Sequence, residues 1–524
     1  MGVTAIPSST KVLVIGGGPA GAYAAAVLAR EGINVTVLER DYFPRYHIGE
    51  SMLPSLNSFM SFIGAQEKVK KANFAVKPGA AIKLNQYKRE GYTDFVAFDQ
   101  ENSTWNVLRS EFDEILLRHA ADCGARVHEG INVTDIQFSK TDPDQPVSVS
   151  WSSKSNKSRN GTVSFDYLID ASGRTGIMST KYLKNRRFNE SLRNVAFWGY
   201  WSGAGVYMPG TSRENAPWFE ALTDESGWAW FIPLHNGTVS VGVVMSEKSS
   251  RAKKEKLSVK EGVDRNTALY LDQFKLVPNL KALLGTAKFS GETKTAGDYS
   301  YSSENNQYAG TRYRIAGDAG AFIDPFFSSG VHLAFTGGLS AAATIAASIR
   351  GQCTEAEAVA FHNQKVGTSY TRFLVVVWAA YKQMKSQSSP VLADMNEDNF
   401  DRAFDFLRPV IQGATEADPK LSETELTEAM DFCEHAIAPS DPEMLQSVTK
   451  RLDPKLLAFD GPLLNPKAVE SLAGEDEEAK QVLWKLNSDK ALVVMFDYEG
   501  NFRQEILNGW YVNLEKGNLG LVSA

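Results

Sequence analysis

The 524-residue sequence predicts an α/β protein: a domain opening with a glycine-rich strand-helix-strand unit, a second β-sheet domain, and a helical C-terminal region. Three observations predict it. Residues 11–40 pass from an apolar strand through three glycines into an alanine-rich helix and a second apolar strand. Residues 190–300 are rich in Trp, Tyr, Phe and Gly with strand-like runs. From about residue 355 onward amphipathic helical patterning dominates.

Length alone suggests two or three domains. The patterning divides them as 1–190 with 300–350 for a discontinuous first domain, 191–299 for a sheet-based substrate domain, and 351–524 for a mostly helical remainder. The hydrophobic share of 43% and charged share of 22% are ordinary for a globular chain. A net charge of −7 argues against nucleic acid as the main partner, which requires a basic footprint. Cys123, Cys353 and Cys433 are scattered without CxxC spacing, so neither a disulfide framework nor a metal site is indicated. The apolar runs 12–15 and 373–380 fall short of the ~20 residues of a membrane span. A soluble, cytoplasmic protein without a membrane partner is the expectation.

Along the chain, residues 11–15 read as a buried strand, 20–31 as a helix, and 34–38 as a strand ending at Glu39. A helix is expected over 111–123, with Phe112, Ile115, Leu116 and Ala120 on one face, and antiparallel strands over 147–151 and 162–169. In the second domain, 195–201, 228–232 and 238–244 read as strands. Residues 313–316 read as a return strand of the first domain, followed by a helix over 331–350. Polar breaks fall at 386–390 and 438–442.

Gly16-Gly17-Gly18-Pro19-Ala20-Gly21 follows the first strand and opens the first helix, with Gly16, Gly18 and Gly21 at GxGxxG spacing. A pyrophosphate requires close backbone approach and free amides at a helix N-terminus, and this arrangement supplies both. Glu39 lies 18 residues beyond Gly21, at a strand end, where a carboxylate can bind a ribose hydroxyl. The combination marks a Rossmann-type dinucleotide site. A ligand-free glycine turn is the alternative.

Two later segments favour FAD over NAD. Tyr167-Leu-Ile-Asp170-Ala-Ser-Gly173-Arg174 and Ile315-Ala-Gly317-Asp318-Ala319 are strand ends closing in tight Asp/Gly turns. Together they resemble the discontinuous FAD-contacting motifs of flavoenzymes built like aromatic hydroxylases. In that group the second Asp contacts ribitol, and Arg109 resembles the cofactor-facing arginine. Taken singly, Asp170 and Asp318 also read as turn residues and Arg109 as a surface ion pair.

The resemblance then narrows. Tyr42-Phe-Pro44-Arg45-Tyr-His-Ile48-Gly49-Glu50-Ser51, Trp228-Ala-Trp230-Phe-Ile232-Pro233 and Phe322-Ile-Asp-Pro325-Phe-Phe-Ser328-Ser-Gly330 resemble segments of the flavin-dependent halogenases, over about residues 10–350. The resemblance implies that Arg40, Arg45, Gly49, Glu50, Ser51 and Gly317 join the cofactor site. It matches the catalytic lysine to Lys77, with Lys83 as competitor. Reduced flavin, oxygen and halide generate hypohalous acid, which a lysine between flavin and substrate can hydrogen-bond or carry as a haloamine. Burial would lower the lysine's pKa and make the amine a better acceptor.

Ser328, Ser329 and Gly330 sit where a helix begins, so free amides there suit a halide; an ordinary serine N-cap is the alternative. Tryptophan-acting members carry a glutamate where this sequence has Phe327. Since a phenol is already nucleophilic ortho and para to oxygen, Phe327 points to an electron-rich phenol, as in the phenol-acting halogenases of fungal aromatic polyketide pathways. Trp228 and Trp230 share a strand face; in the family this pair is thought to keep substrate off the flavin, and core packing is the alternative.

The expected reaction is a two-component one. No second glycine loop is offered for a nicotinamide nucleotide, so a separate NAD(P)H flavin reductase is expected to supply FADH2. Chloride or bromide is the co-substrate, and the phenol arrives free or tethered to a carrier protein. A hydroxylating monooxygenase of the same fold, a flavin-dependent isoprenoid reductase, and an FAD-binding module without chemistry are the rival readings.

Overall fold

Val12, Leu13 and Val14 are fully buried, and alternate residues of their strand face two different apolar clusters. A strand buried on both faces belongs inside a covered parallel sheet, and the computed structural model places Ser9–Ile15 there. The structure describes residues 5–387 except 88, 97–99, 260, 261 and 386, and residues 442–524 except 459, 460, 463, 465, 497–501 and 504. Ser9–Ile15 runs parallel to Val35–Glu39 on one side and to Asn160–Asp170 on the other. Tyr313–Ile315 adds to Asn160–Asp170 in parallel, and Arg126–Glu129 to Val35–Glu39. Ile131–Phe138 and Pro146–Ser153 form an antiparallel extension on the first half of Asn160–Asp170. The helices Pro19–Arg30, Arg109–Asp122 and Gly330–Arg350 cover one face, packing Tyr23, Phe112 and Leu339 into one core.

The second sheet has eight strands in which Arg186–Ser202, Thr238–Ser246, Gly227–Pro233 and Trp218–Ala221 follow one another antiparallel. It differs from the expected 191–299 block. Gly79–Lys83 joins it in parallel with Trp218–Ala221, and Gly91–Asp94 pairs outside that. The first 190 residues therefore contribute to both sheets. Small residues such as Ala80 and Ala81 give this strand too weak an alternation to read, although Ala80 and Ala81 do face opposite clusters.

Alternation in Gly227–Pro233 places Trp228, Trp230 and Ile232 on one face and Ala229 and Phe231 on the other. The helix Glu355–Met384 lies on the tryptophan face, contributing Phe373, Val377 and Tyr381 to the same cluster. Thr354 and Glu357 start it with a reciprocal capping box. The C-terminal region is not helical throughout. It ends in the hairpin Trp510–Asn513 and Gly520–Ser523, whose Val512 and Leu521 join the core of the first sheet's helices. Cys433 and the polar breaks at 386–390 and 438–442 lie outside the described residues, apart from Gln387 and Pro442. Gly330–Arg350 is long and apolar enough to cross a membrane, and 83% of its apolar window is packed inside the protein.

Candidate functional site: a cavity between the two sheets

The first strand ends at Ile15 and the chain turns sharply at Gly16, with φ +100. A Cβ on Gly16 would stand 2.3 Å from the Ala171 carbonyl oxygen, and one on Gly21 would stand 2.0 Å from the Gly16 carbonyl oxygen. Only glycine fits at either position. Pro19 occupies the first helical turn and Gly18 caps it without a side chain, so the helix's leading amides face outward. Gly16, Gly18, Pro19 and Ala20 thereby line a cavity of about 500 Å³, with Gly21 packed behind them. Glu39 and Arg40 are also on its wall. The Glu39 carboxylate is held by the Gly17 amide at 2.5 Å and the Asp41 amide at 2.7 Å.

Arg45, Gly49, Glu50, Ser51 and Arg109 continue the wall. Arg109 opens its helix and makes a two-pronged pair with Asp113, Nε to Oδ1 at 2.8 Å and a terminal nitrogen to Oδ2 at 3.0 Å. Its other terminal nitrogen donates to the Ile48 and Gly49 carbonyls. Arg45 reaches the same Asp113 at 3.0 Å. Although burial acts to raise it, Asp113 is held below the ordinary carboxylate range by Arg109 and Arg45, so it stays ionised. Asp113 was not singled out in the sequence; its position four residues after Arg109 in a helical pattern was the available signal. Glu50 is fully buried, and burial pushes its carboxyl up to about 6.

Gly317 and Asp318 line the cavity opposite, where burial raises the Asp318 carboxyl against the pull of Arg174, Arg109 and Arg186. Asp170 does not join them. Its two carboxylate oxygens accept the Ser172 and Met178 amides, at 3.0 and 2.7 Å, and it is buried behind Ala171 and Ser172. Asp170 thus closes the turn that holds Gly16, and the expected cofactor contact is corrected to a supporting one.

Beyond this stretch the cavity meets Trp228 and Trp230, both buried. Ser328, in left-handed conformation, and Gly330 are on the wall, where the helix Gly330–Arg350 begins. Ser329 is fully buried just behind, and its hydroxyl has no hydrogen-bond partner among the described residues. Phe327 is not on this cavity's wall; it packs edge-on against Phe326 in the tryptophan cluster.

Lys77 ends the short strand Ala75–Lys77, which pairs with Thr104–Asn106. That strand is bridged in turn to Ser51 on the cavity wall. The Lys77 side chain is 1% exposed. Its amine donates to the Met52 carbonyl at 2.7 Å and stands 5.1 Å from the centre of the Phe95 ring. Burial pushes the amine down to about 7. Lys77 does not itself line the cavity; it stands behind the Glu50–Met52 segment, next to Phe95 at the edge of the tryptophan cluster. Lys83 is partly exposed at the end of its strand.

FAD fits this wall on three counts. Gly16 on the cavity wall admits no side chain, so bare backbone faces the space. The open helix start faces the same space as the anchored Glu39 carboxylate. The buried Ser51 hydroxyl and Glu50 Oε2, both from wall residues, have no hydrogen-bond partner among the described residues. Fold and wall together define a Rossmann-type FAD-binding protein with a sheet domain closing over the cofactor site.

The family described as tryptophan halogenase matches residues 11–108 and 97–418. The chain is 59% identical over 522 residues to the flavin-dependent halogenase armH1 of Armillaria mellea, covering 99% of each. It is 44% identical over 537 residues to the sulochrin halogenase gedL of Aspergillus terreus, covering 99% of this chain and 94% of that one. The solved myxobacterial chondrochloren halogenase CndH, a FAD-dependent halogenase, aligns at a TM-score of 0.65 and 26% identity, over 83% of this chain and 98% of that one. The chain belongs to the flavin-dependent halogenases.

Proposed function

We propose that the protein places chloride or bromide on an electron-rich phenol, with Lys77 carrying the activated halogen. Bound in the cavity, reduced FAD with oxygen supplies the oxidising power that turns halide into hypohalous acid. The glycine turn and helix start receive the pyrophosphate, Glu39 the ribose, and Asp318 the ribitol. Arg45 and Arg109, fixed by Asp113, set the segment from Gly49 to Ser51 against the cofactor. The amides around Ser328, Ser329 and Gly330 hold the halide.

The observation that carries this reading is the place of the buried Lys77 amine beside Phe95, at the edge of the cluster whose Trp228 and Trp230 line the cavity; burial there lowers its pKa to about 7 and leaves a neutral fraction near neutral pH. A neutral amine takes halogen from hypohalous acid and releases water: an N–X bond forms and the O–X bond breaks. Transfer of that halogen to a ring carbon returns the amine, with the ring proton moving to nitrogen. Trp228 and Trp230 keep the phenol from the flavin side and so favour halogenation over hydroxylation. Phe327 supports a phenol, because a ring activated by its own oxygen does without a carboxylate at that position. A substrate other than tryptophan accords with the relative named for sulochrin. A separate NAD(P)H flavin reductase supplies FADH2, in keeping with the single dinucleotide fingerprint.

The test is purified protein with FAD, a flavin reductase, NADH, halide and a resorcinol-type phenol. Halide-dependent formation of the halogenated phenol is expected. Hydroxylated product alone, indifferent to halide, overturns the reading.

A further inference from the structure

Glu50, Tyr46 and Trp198 all border the cavity, and Glu50 is fully buried while Tyr46 is half-exposed. Its Oε1 accepts the Tyr200 hydroxyl at 2.7 Å. The Tyr200 oxygen is 3.0 Å from the Tyr46 hydroxyl. The Tyr46 oxygen accepts the indole N–H of Trp198 at 2.7 Å, and Tyr46 is 49% exposed. Tyr200 spends its single proton on Glu50, so the 3.0 Å contact requires Tyr46 to donate to the Tyr200 oxygen. The two hydroxyls are aligned in one direction, from the half-exposed Tyr46 on the cavity wall to the buried Glu50.

The proposed chemistry needs such a supply. Forming hypohalous acid balances as FADH2 + O2 + X⁻ + H⁺ → FAD + HOX + H2O, so one proton enters per turnover. We propose that Tyr46 and Tyr200 relay protons from solvent to Glu50, which delivers them into the cavity. Glu50 gives up its carboxyl proton there. The carboxylate takes the Tyr200 proton as Tyr200 takes that of Tyr46, and Tyr46 is reprotonated by solvent acid. Only O–H bonds form and break.

The surroundings suit this task. Burial holds the Glu50 carboxyl at about 6, while Arg109, Tyr200 and Ser240 favour its ionised form, so both protonation states are within reach. Tyr46 is pushed up to about 12 and Tyr200 is raised as well, both chiefly by burial, so they pass protons as neutral hydroxyls. Glu50, Glu292 and Lys294 are the charged groups facing Tyr46, the last 4.7 Å from its ring centre.

This inference rests on the halogenation reading, and the experiment separates the two. Tyr46→Phe, Tyr200→Phe and Glu50→Gln are compared for FAD affinity, halogenation rate against pH, and the infrared carboxyl band of the protein without flavin. Tyr200→Phe, off the cavity wall, should bind FAD as wild type does, and the turnover of Tyr46→Phe, on the wall, is taken per bound FAD. They should lose turnover by about tenfold or more on the alkaline side and recover as pH falls and solvent acid becomes plentiful. The wild-type spectrum should contain a buried carboxylic acid titrating near pH 6 that Glu50→Gln removes. Phe variants with wild-type turnover at every pH overturn the relay. So do variants whose lost turnover tracks lost FAD, and a wild-type spectrum without that band. Wild-type protein that makes no halogenated phenol refutes the reaction instead, and the infrared measurement still tests the carboxyl.

Discussion

The indole nitrogen of Trp228 donates a 2.8 Å hydrogen bond to the hydroxyl of Tyr381, tying the second sheet to the helix Glu355–Met384. The same hydroxyl accepts from Asn194 at 2.8 Å and donates to Asp324 at 2.7 Å. Asp324 in turn accepts the Phe326 amide at the turn leading to Ser328 and Gly330. One buried hydroxyl therefore joins the tryptophan wall to the helix start. Tyr381→Phe removes three hydrogen bonds while keeping the ring. It should cost about 1–3 kcal/mol in urea unfolding, because buried groups lose a partner they cannot replace with water.

Asp113 anchors two arginines of the cofactor wall at once. Asp113→Ala leaves Arg109 and Arg45 without the carboxylate that fixes them, and breaking a buried pair is costly. FAD affinity should fall by about tenfold or more, read by titrating flavin fluorescence. Unchanged affinity would show that the two arginines hold their places without it.

Gly16→Ala would put a Cβ 2.3 Å from a backbone oxygen at a φ of +100. FAD binding should be lost, and the unfolding midpoint should drop, because the turn cannot close around a side chain. Ala-substituted protein that still binds FAD at wild-type affinity would contradict the placement of this turn.

What was legible in the sequence is what sits in contiguous motifs. The glycine turn, Glu39 and the Trp228–Trp230 face follow from local spacing, because strand and helix periodicity fix which residues share a side. Asp113, Tyr200 and Tyr381 were not legible. Each matters through a partner on another element, and nothing near Tyr381 in sequence announces Trp228, 153 residues away. Asp170 is ambiguous in sequence for a related reason. A strand-end aspartate looks the same in sequence whether it faces a ligand or caps its own turn, and only the Ser172 and Met178 amides decide between them. That the strand Gly79–Lys83 joins the second sheet is not legible either, because small residues carry little pattern.

Lys77 also makes stability depend on pH. Its amine titrates at about 7 in the folded protein, below its ordinary value of 10.5. Between those values the unfolded chain binds a proton that the folded one does not, so stability rises with pH across that window. Below about 7 both states are charged and the whole burial cost applies. Lys77→Met should therefore be more stable than wild type in urea at pH about 6, on the order of 1–3 kcal/mol, with the difference narrowing toward pH about 10. A difference that widens with pH would contradict a desolvated amine.

The most direct measurement is Lys77→Ala in the complete halogenation assay, following halogenated phenol, bound FAD and oxygen uptake together. The buried amine should be dispensable for flavin binding and oxygen consumption, and its loss should reduce halogenated product by about a hundredfold or more. A variant that binds FAD and halogenates the phenol at the wild-type rate would contradict the account.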